Sequence, residues 1–240
     1  MVDLRRGTER FVTRTDWLES AHSFSFGPHF DPTNTSHGVL VVNNEDMVRP
    51  GSGYATHRHA DMEIVTWVLS GALAHEDSSG HRGVVTPGIA QRMSAGSGVL
   101  HSERNAGGSG EPAHFVQMWV LPDEPGGPPT YQQLDVGADL SGGALVPVIS
   151  GLVAHTHTAV ALGNSQAAFL VARLDVADSV RLPEAPYLHV FVACGSVELE
   201  GVAALGAGDA VRLTRSGGQR VTATVPAELL VWEMHSAASA

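Results

Sequence analysis

The sequence predicts an all-β protein built as two small barrels in tandem, and three observations carry that expectation. The 240 residues include 27 Gly and 13 Pro, and these interrupt short apolar runs in the manner of many strands joined by tight turns. Hardly any segment repeats its apolar residues at helical spacing. The two halves also share a pattern. EIVTWVLSGALAHED at 63–77 resembles YLHVFVACGSVELEG at 187–201, each a strand, a Gly turn at Gly71 or Gly195, and a second strand. TPGIAQRM at 86–93 resembles GAGDAVRL at 206–213 in the same order.

Taken in chain order, Thr15 ahead of Asp16–Glu19 suggests a capped turn of helix, and Tyr131–Leu134 a second one. Strands are expected at Val39–Val42, Ile64–Leu69, Leu73–His75, Gln91–Ser94, Val99–Ser102 and Phe115–Leu121. A second series is expected at Phe169–Leu174, Leu188–Ala193, Val197–Leu199, Ala210–Leu213, Gln219–Ala223 and Leu229–Met234. Between the series lies LPDEPGGPPTYQQLDVGADLSGG, dense in Pro and Gly. The expected division is therefore 1–125, a linker at 126–145, and 146–240.

A formal charge of -11 repels phosphate backbones and argues against direct nucleic-acid binding, despite the arginines at 5, 6 and 10. The single cysteine, Cys194, excludes an intrachain disulfide and a cysteine zinc finger. No signal peptide and no apolar run of membrane-spanning length is evident, so a cytoplasmic location is expected.

The chemistry concentrates in the first half. His57 and His59 are two apart, which on a strand places both side chains on one face, and His101 and Glu103 repeat that spacing. Three imidazoles and a carboxylate suit one divalent transition metal with positions left open, Fe(II) first, with Ni, Cu, Mn or Zn also compatible. Isolated H-x-H pairs arise by chance among thirteen histidines, and His155–His157 is such a pair. The surroundings separate the two. Gly51, His57, His59 and Glu63 fit the first cupin motif, and Gly98, His101 and Asn105 fit the end of the second.

HSFSFG at 22–27, NEDMVRPG at 44–51, HADMEIVTWVLSGALAHEDS at 59–78, QRMSAGSGVLHSE at 91–103 and QMWVLP at 117–122 together resemble the pirin family over most of residues 15–135. The resemblance implies a bicupin, two jelly-roll barrels, with one metal held by His57, His59, His101 and Glu103. Ordinary cupins take their carboxylate from the first motif, which here is Glu63. If Glu103 is the ligand, Glu63 becomes a candidate to orient one. Offsets from Gly71 and Gly88 that reach the first-half ligands reach Arg181, Pro183, Tyr187, Val221 and Ala223 when counted from Gly195 and Gly208, so the second barrel is expected to be metal-free.

His189 and Cys194 read as core or turn residues, and GGSGEP at 107–112 as a hairpin loop. Phe24, Phe26 and His29 are candidates for an aromatic pocket, with Trp67 and Trp119 more at home in the core. The resemblance implies either of two functions. One is a quercetin 2,3-dioxygenase, acting on a small aromatic flavonol and O2 with Glu103 as ligand and general base. The other is a metal- or redox-responsive regulator that acts through a protein partner.

Overall fold

The structure is a computed structural model that describes residues 1–238 except 109 and 156. The first half contributes β1 (Val2–Arg5), β2 (Phe11–Arg14), β3 (Leu18–His22), β4 (Leu40–Val48), β5 (Gly53–His59), β6 (Glu63–Ser70), β7 (Leu73–Asp77), β8 (Arg82–Val85), β9 (Ile89–Ser94), β10 (Val99–Asn105), β11 (Ala113–Val120) and β12 (Thr130–Asp135). The second contributes β13 (Val146–Ser150), β14 (Val160–Ala161), β15 (Ala167–Leu174), β16 (Ser179–Arg181), β17 (Glu184–Leu199), β18 (Ala203–Gly206), β19 (Ala210–Gly217) and β20 (Arg220–Met234). Single turns of 3-10 helix are the only helices among the described residues, and none is long and apolar enough to cross a membrane.

In the first barrel, a sheet ordered β12-β9-β6-β11-β4-β3-β2 faces a smaller sheet ordered β5-β10-β7-β8. The second barrel is one curled sheet ordered β1-β19-β17-β20-β15-β13-β14, with β16 on β20 and β18 on β17. Every strand pair except β13–β14 is antiparallel. The two barrels share a construction detail. A Cβ on Gly71 would meet the Pro112 carbonyl, and a Cβ on Gly195 would meet the Pro226 carbonyl; both glycines take positive φ, at 76° and 75°. Each glycine is thus the point where a strand folds over its neighbour with no room for a side chain.

Burial follows from the layering. Consecutive residues Glu63–Val68 of β6 are all buried, because one face looks into the first barrel and the other packs on the second. Val65 and Trp67 join Val116 and Met118 of β11 and Phe169, Phe191, Leu230 and Trp232 of the second barrel in one apolar cluster. Polar groups lock this junction. Trp67 Nε1 donates to Glu228 across it at 2.6 Å, and Arg173 Nε holds the other carboxylate oxygen at 2.5 Å.

Several elements depart from expectation. Thr15 caps no helix; its hydroxyl accepts the amides of Trp17 and Leu18 in a tight turn that leads into β3. Tyr131–Leu134 is strand, because β12 pairs with β9 along its length. That places part of the Pro/Gly-rich stretch in the first barrel's sheet. The first strand, β1, pairs with β19 of the second barrel. The expected strand pairs 188–193 with 197–199, and 219–223 with 229–234, are each continuous in β17 and β20, where register shifts bend the ladder without ending it. GGSGEP, in which residue 109 lies outside the described residues, connects β10 and β11. These strands lie in different sheets, so the stretch does not close a hairpin.

Candidate metal centre

The centre is organised by β10, which lies between β5 and β7. Its burial alternates strictly: Val99, His101, Glu103 and Asn105 are buried, while Leu100 and Arg104 are exposed. Period-2 geometry therefore aims His101 and Glu103 into the lumen together. Across the ladder His101 sits opposite His57 on β5 and Asp77 on β7. Glu103 sits opposite Tyr54 on β5 and His75 on β7, after a register shift on the β5 side. Directly opposed residues have their Cβ atoms about 5 Å apart, so cross-strand pairing alone gathers a polar cluster inside an apolar barrel.

Ligand atoms of His57, His59 and His101 lie within 4.8 Å of one another. His57 Nδ1 donates to the Ala55 carbonyl at 2.8 Å, which leaves its Nε2 with a free lone pair, 3.1 Å from His101 Nε2. His59 Nε2 and His101 Nδ1 are buried without partners. Burial, reinforced by the neighbouring imidazoles, pushes His59 down to about 4 and His101 down to about 3. Both are therefore neutral at physiological pH, the form a metal requires. Burial pushes the Glu103 carboxyl up to about 7; Gln117 Nε2, which donates to it at 2.7 Å, opposes that shift, and Asp46 adds to it.

A second group contains His75, His101 and Glu103, again with ligand atoms within 4.8 Å and all three buried. His101 is thus common to both groups, and Glu103 stands with His75. Sequence spacing did not single out His75. The available signal was H-x-D at His75 and Asp77, two inward positions on the strand after the Gly71 turn.

Glu63 looks away from the histidines. It heads β6, whereas His57 and His59 end β5, and the intervening turn carries Asp61 at φ 53°. Strand parity does not continue through that turn. Glu63 Oε2 instead accepts the Gly163 amide of the second barrel at 2.9 Å and lies 3.7 Å from Arg92 Nε. It joins the two barrels and orients no imidazole. We expect Glu63→Gln to leave metal content unchanged while lowering stability by about 1–3 kcal/mol, the range for disturbing a buried charged partner, read by metal analysis and thermal melting.

The aromatic candidates divide. The Trp119 ring lies 4.8 Å from His59, and Phe26 meets Trp119 edge-on at 5.6 Å. His29 stacks on Phe11 further out. Phe24 is buried at the barrel junction beneath the Arg212 guanidinium and beside His189, and Trp67 is buried in the same junction, so neither lines the pocket. His189 is core, and Cys194 is exposed. His155 and His157 flank residue 156, which lies outside the described residues, and line a groove with Leu134 and Val146 in a different part of the molecule.

Unpartnered imidazole nitrogens, neutral rings and a buried carboxylate fit a divalent transition metal. The fold and this cluster define a two-barrel cupin protein with a histidine-rich centre in its first barrel. The pirin profile matches residues 5–120. A Mycobacterium tuberculosis protein named "Putative quercetin 2,3-dioxygenase" is 53% identical over 235 residues, covering 98% of this chain and 96% of that one. An Escherichia coli protein named quercetin 2,3-dioxygenase is 44% identical over 133 residues, 55% of this chain and 57% of its own. The crystal structure of E. coli pirin YhhW in complex with nickel(II) superposes with a TM-score of 0.88 at 29% identity, covering 98% of this chain and all of the other. The chain belongs to the pirin family.

Proposed function

We propose that the protein is a metal-dependent dioxygenase that opens the ring of a flavonol such as quercetin with O2, its metal held by His57, His59, His101 and Glu103. The observation that carries this is the lumen cluster itself: neutral imidazoles with unpartnered nitrogens beside a buried carboxyl whose pKa lies near neutrality. The names of the relatives and the nickel-bound neighbour point the same way.

A bound divalent metal supplies a Lewis-acidic centre for the flavonol oxygens and a route for electrons to O2. The remaining tasks fall to side chains. Glu103, the carboxylate among the four ligands, takes the proton of the 3-hydroxyl, and its burial in the lumen sets it beside the substrate oxygens rather than in solvent. Gln117 holds one of its oxygens by hydrogen bond, which fixes the carboxylate plane. His57 is held in one tautomer by the Ala55 carbonyl. Phe26 and Trp119 offer aromatic faces beside His59 for the flat rings of the substrate.

Metal affinity then has a defined pH dependence. In the metal-free protein Glu103 is protonated below about pH 7, so binding must expel that proton. Glu103 alone contributes a rise in apparent affinity of about tenfold per unit as pH increases toward 7 and none above it, as its one displaced proton requires. His59 and His101, neutral above about pH 4, add no slope in that window. Chelator competition from pH 5 to 8 measures this, and a flat profile would exclude Glu103 as a ligand. The activity itself is tested by quercetin consumption under air and under argon, with autoxidation by buffer and free metal subtracted. Oxygen-dependent turnover above background supports the dioxygenase; its absence with every first-row metal tried returns the regulatory alternative.

A further inference from the structure

We propose that His75 is a metal ligand in reserve: with His101 and Glu103 it forms a second, inner coordination set for a divalent first-row metal, of the two-histidine–one-carboxylate type. The inference rests on the lumen cluster binding a metal, and is independent of the flavonol substrate.

Three observations converge. The ligand atoms of His75, His101 and Glu103 lie within 4.8 Å of one another. His75 Nδ1 is buried with no hydrogen-bond partner, on a side chain only 1% exposed. A buried ring nitrogen of a purely structural histidine normally finds a partner. The other nitrogen is committed: Nε2 lies 3.3 Å from Asp77 Oδ2. Asp77 is itself anchored, its Oδ1 accepting the amides of Ser79 at 2.9 Å and His81 at 3.0 Å. Nε2–H therefore donates to Asp77, and the buried Nδ1 keeps an unpartnered lone pair. A carboxylate behind one nitrogen and a free lone pair on the other is the usual support for a metal-binding imidazole. Stacking on Tyr131, at 4.6 Å and 25°, fixes the ring plane.

The two sets differ in imidazole count. The outer three histidines bring three imidazoles to a metal that Glu103 completes, a nitrogen-rich choice that suits zinc, copper, iron or nickel. The inner set offers two imidazoles and a carboxylate, the donor set of non-haem iron oxygenases. His101 belongs to both and is the pivot about which an ion can change partners. One chain thus offers different donors to different metals without changing its fold.

Cobalt(II) titrations of the double variant His57→Ala/His59→Ala provide the test. The inner set predicts one cobalt per chain, bound more weakly than in wild type. Adding His75→Gln, which keeps a donor for Asp77, should then remove roughly 100-fold or more of the remaining affinity, beyond the 10–100-fold expected if His75 merely supported another ligand. No cobalt in a folded double variant, or residual cobalt indifferent to His75→Gln, overturns the proposal. Should the double variant not fold, His75→Gln alone decides. A weakened affinity with a changed cobalt absorption spectrum supports the inner set, and no change in either overturns it. Wild type that binds no cobalt or other first-row metal would defeat the metal reading itself. Wild type that binds while the double variant does not would defeat only the inner set.

Discussion

His101→Ala is expected to be the most damaging single substitution in the chain. His101 is buried at 1% exposure, aligned opposite His57 and Asp77, and shared by both groups of ligand atoms, so no alternative set survives its loss. The variant should retain no metal through gel filtration and consume quercetin only at the rate of buffer. His57→Ala should lose less, because the group His75, His101 and Glu103 remains intact. Thermal melting separates this from misfolding. A ligand at about 1,000 times its Kd stabilises the native state by about 4 kcal/mol. Wild type should gain that increment on metal addition and His101→Ala should gain none, each compared with its own metal-free form because the missing ring leaves a cavity.

Glu103→Gln is expected to have the second largest effect, and of a different kind. Turnover should fall by about 10²–10⁴, the usual contribution of a positioned general base. The pH dependence of metal binding below 7 should become shallower by about one proton with it. In the metal-free protein the same change is expected to be neutral or stabilising above pH 7. There the native state holds a carboxylate against its burial, which raises its pKa to about 7 from 4.5. Between those two values the native state binds more protons than the unfolded chain, so this group's contribution to stability falls as pH rises from 4.5 to 7. Gln removes that dependence. Urea titrations of the metal-free pair at pH 5 and 8 measure it, and a larger loss on substitution at pH 8 than at pH 5 would contradict the burial argument.

Much of the centre was legible in the sequence because it depends on local periodicity. H-x-H at 57–59 and H-x-E at 101–103 each lie on one strand, where spacing by two is a statement about facing. What depended on relations between strands was not legible. Glu63 fits the first cupin motif beside His57 and His59, but the turn at Asp61 separates it onto another strand. In the sequence His75 only ends the expected strand Leu73–His75; the β7–β10 register sets it opposite Glu103. Phe24 and Phe26 share a motif, yet Phe24 packs beneath Arg212 and only Phe26 reaches Trp119. The same division holds for the fold. The repeated strand–Gly–strand units marked two barrels, whereas the pairing of β1 with β19, more than 200 residues downstream, had no local trace. Nor did the bulges that carry β17 through Gly195 without a break.

The central claim is that the first barrel holds one metal and uses it to cleave a flavonol. Carbon monoxide measures this most directly, since ring opening by a 2,3-dioxygenase releases it and autoxidation supplies the background to subtract. Metal-loaded wild type and His101→Ala would be incubated with quercetin under air and the gas quantified against quercetin consumed. The account predicts one carbon monoxide per quercetin for wild type and none above background for the variant. Quercetin loss without carbon monoxide, or equal release from both proteins, would contradict it.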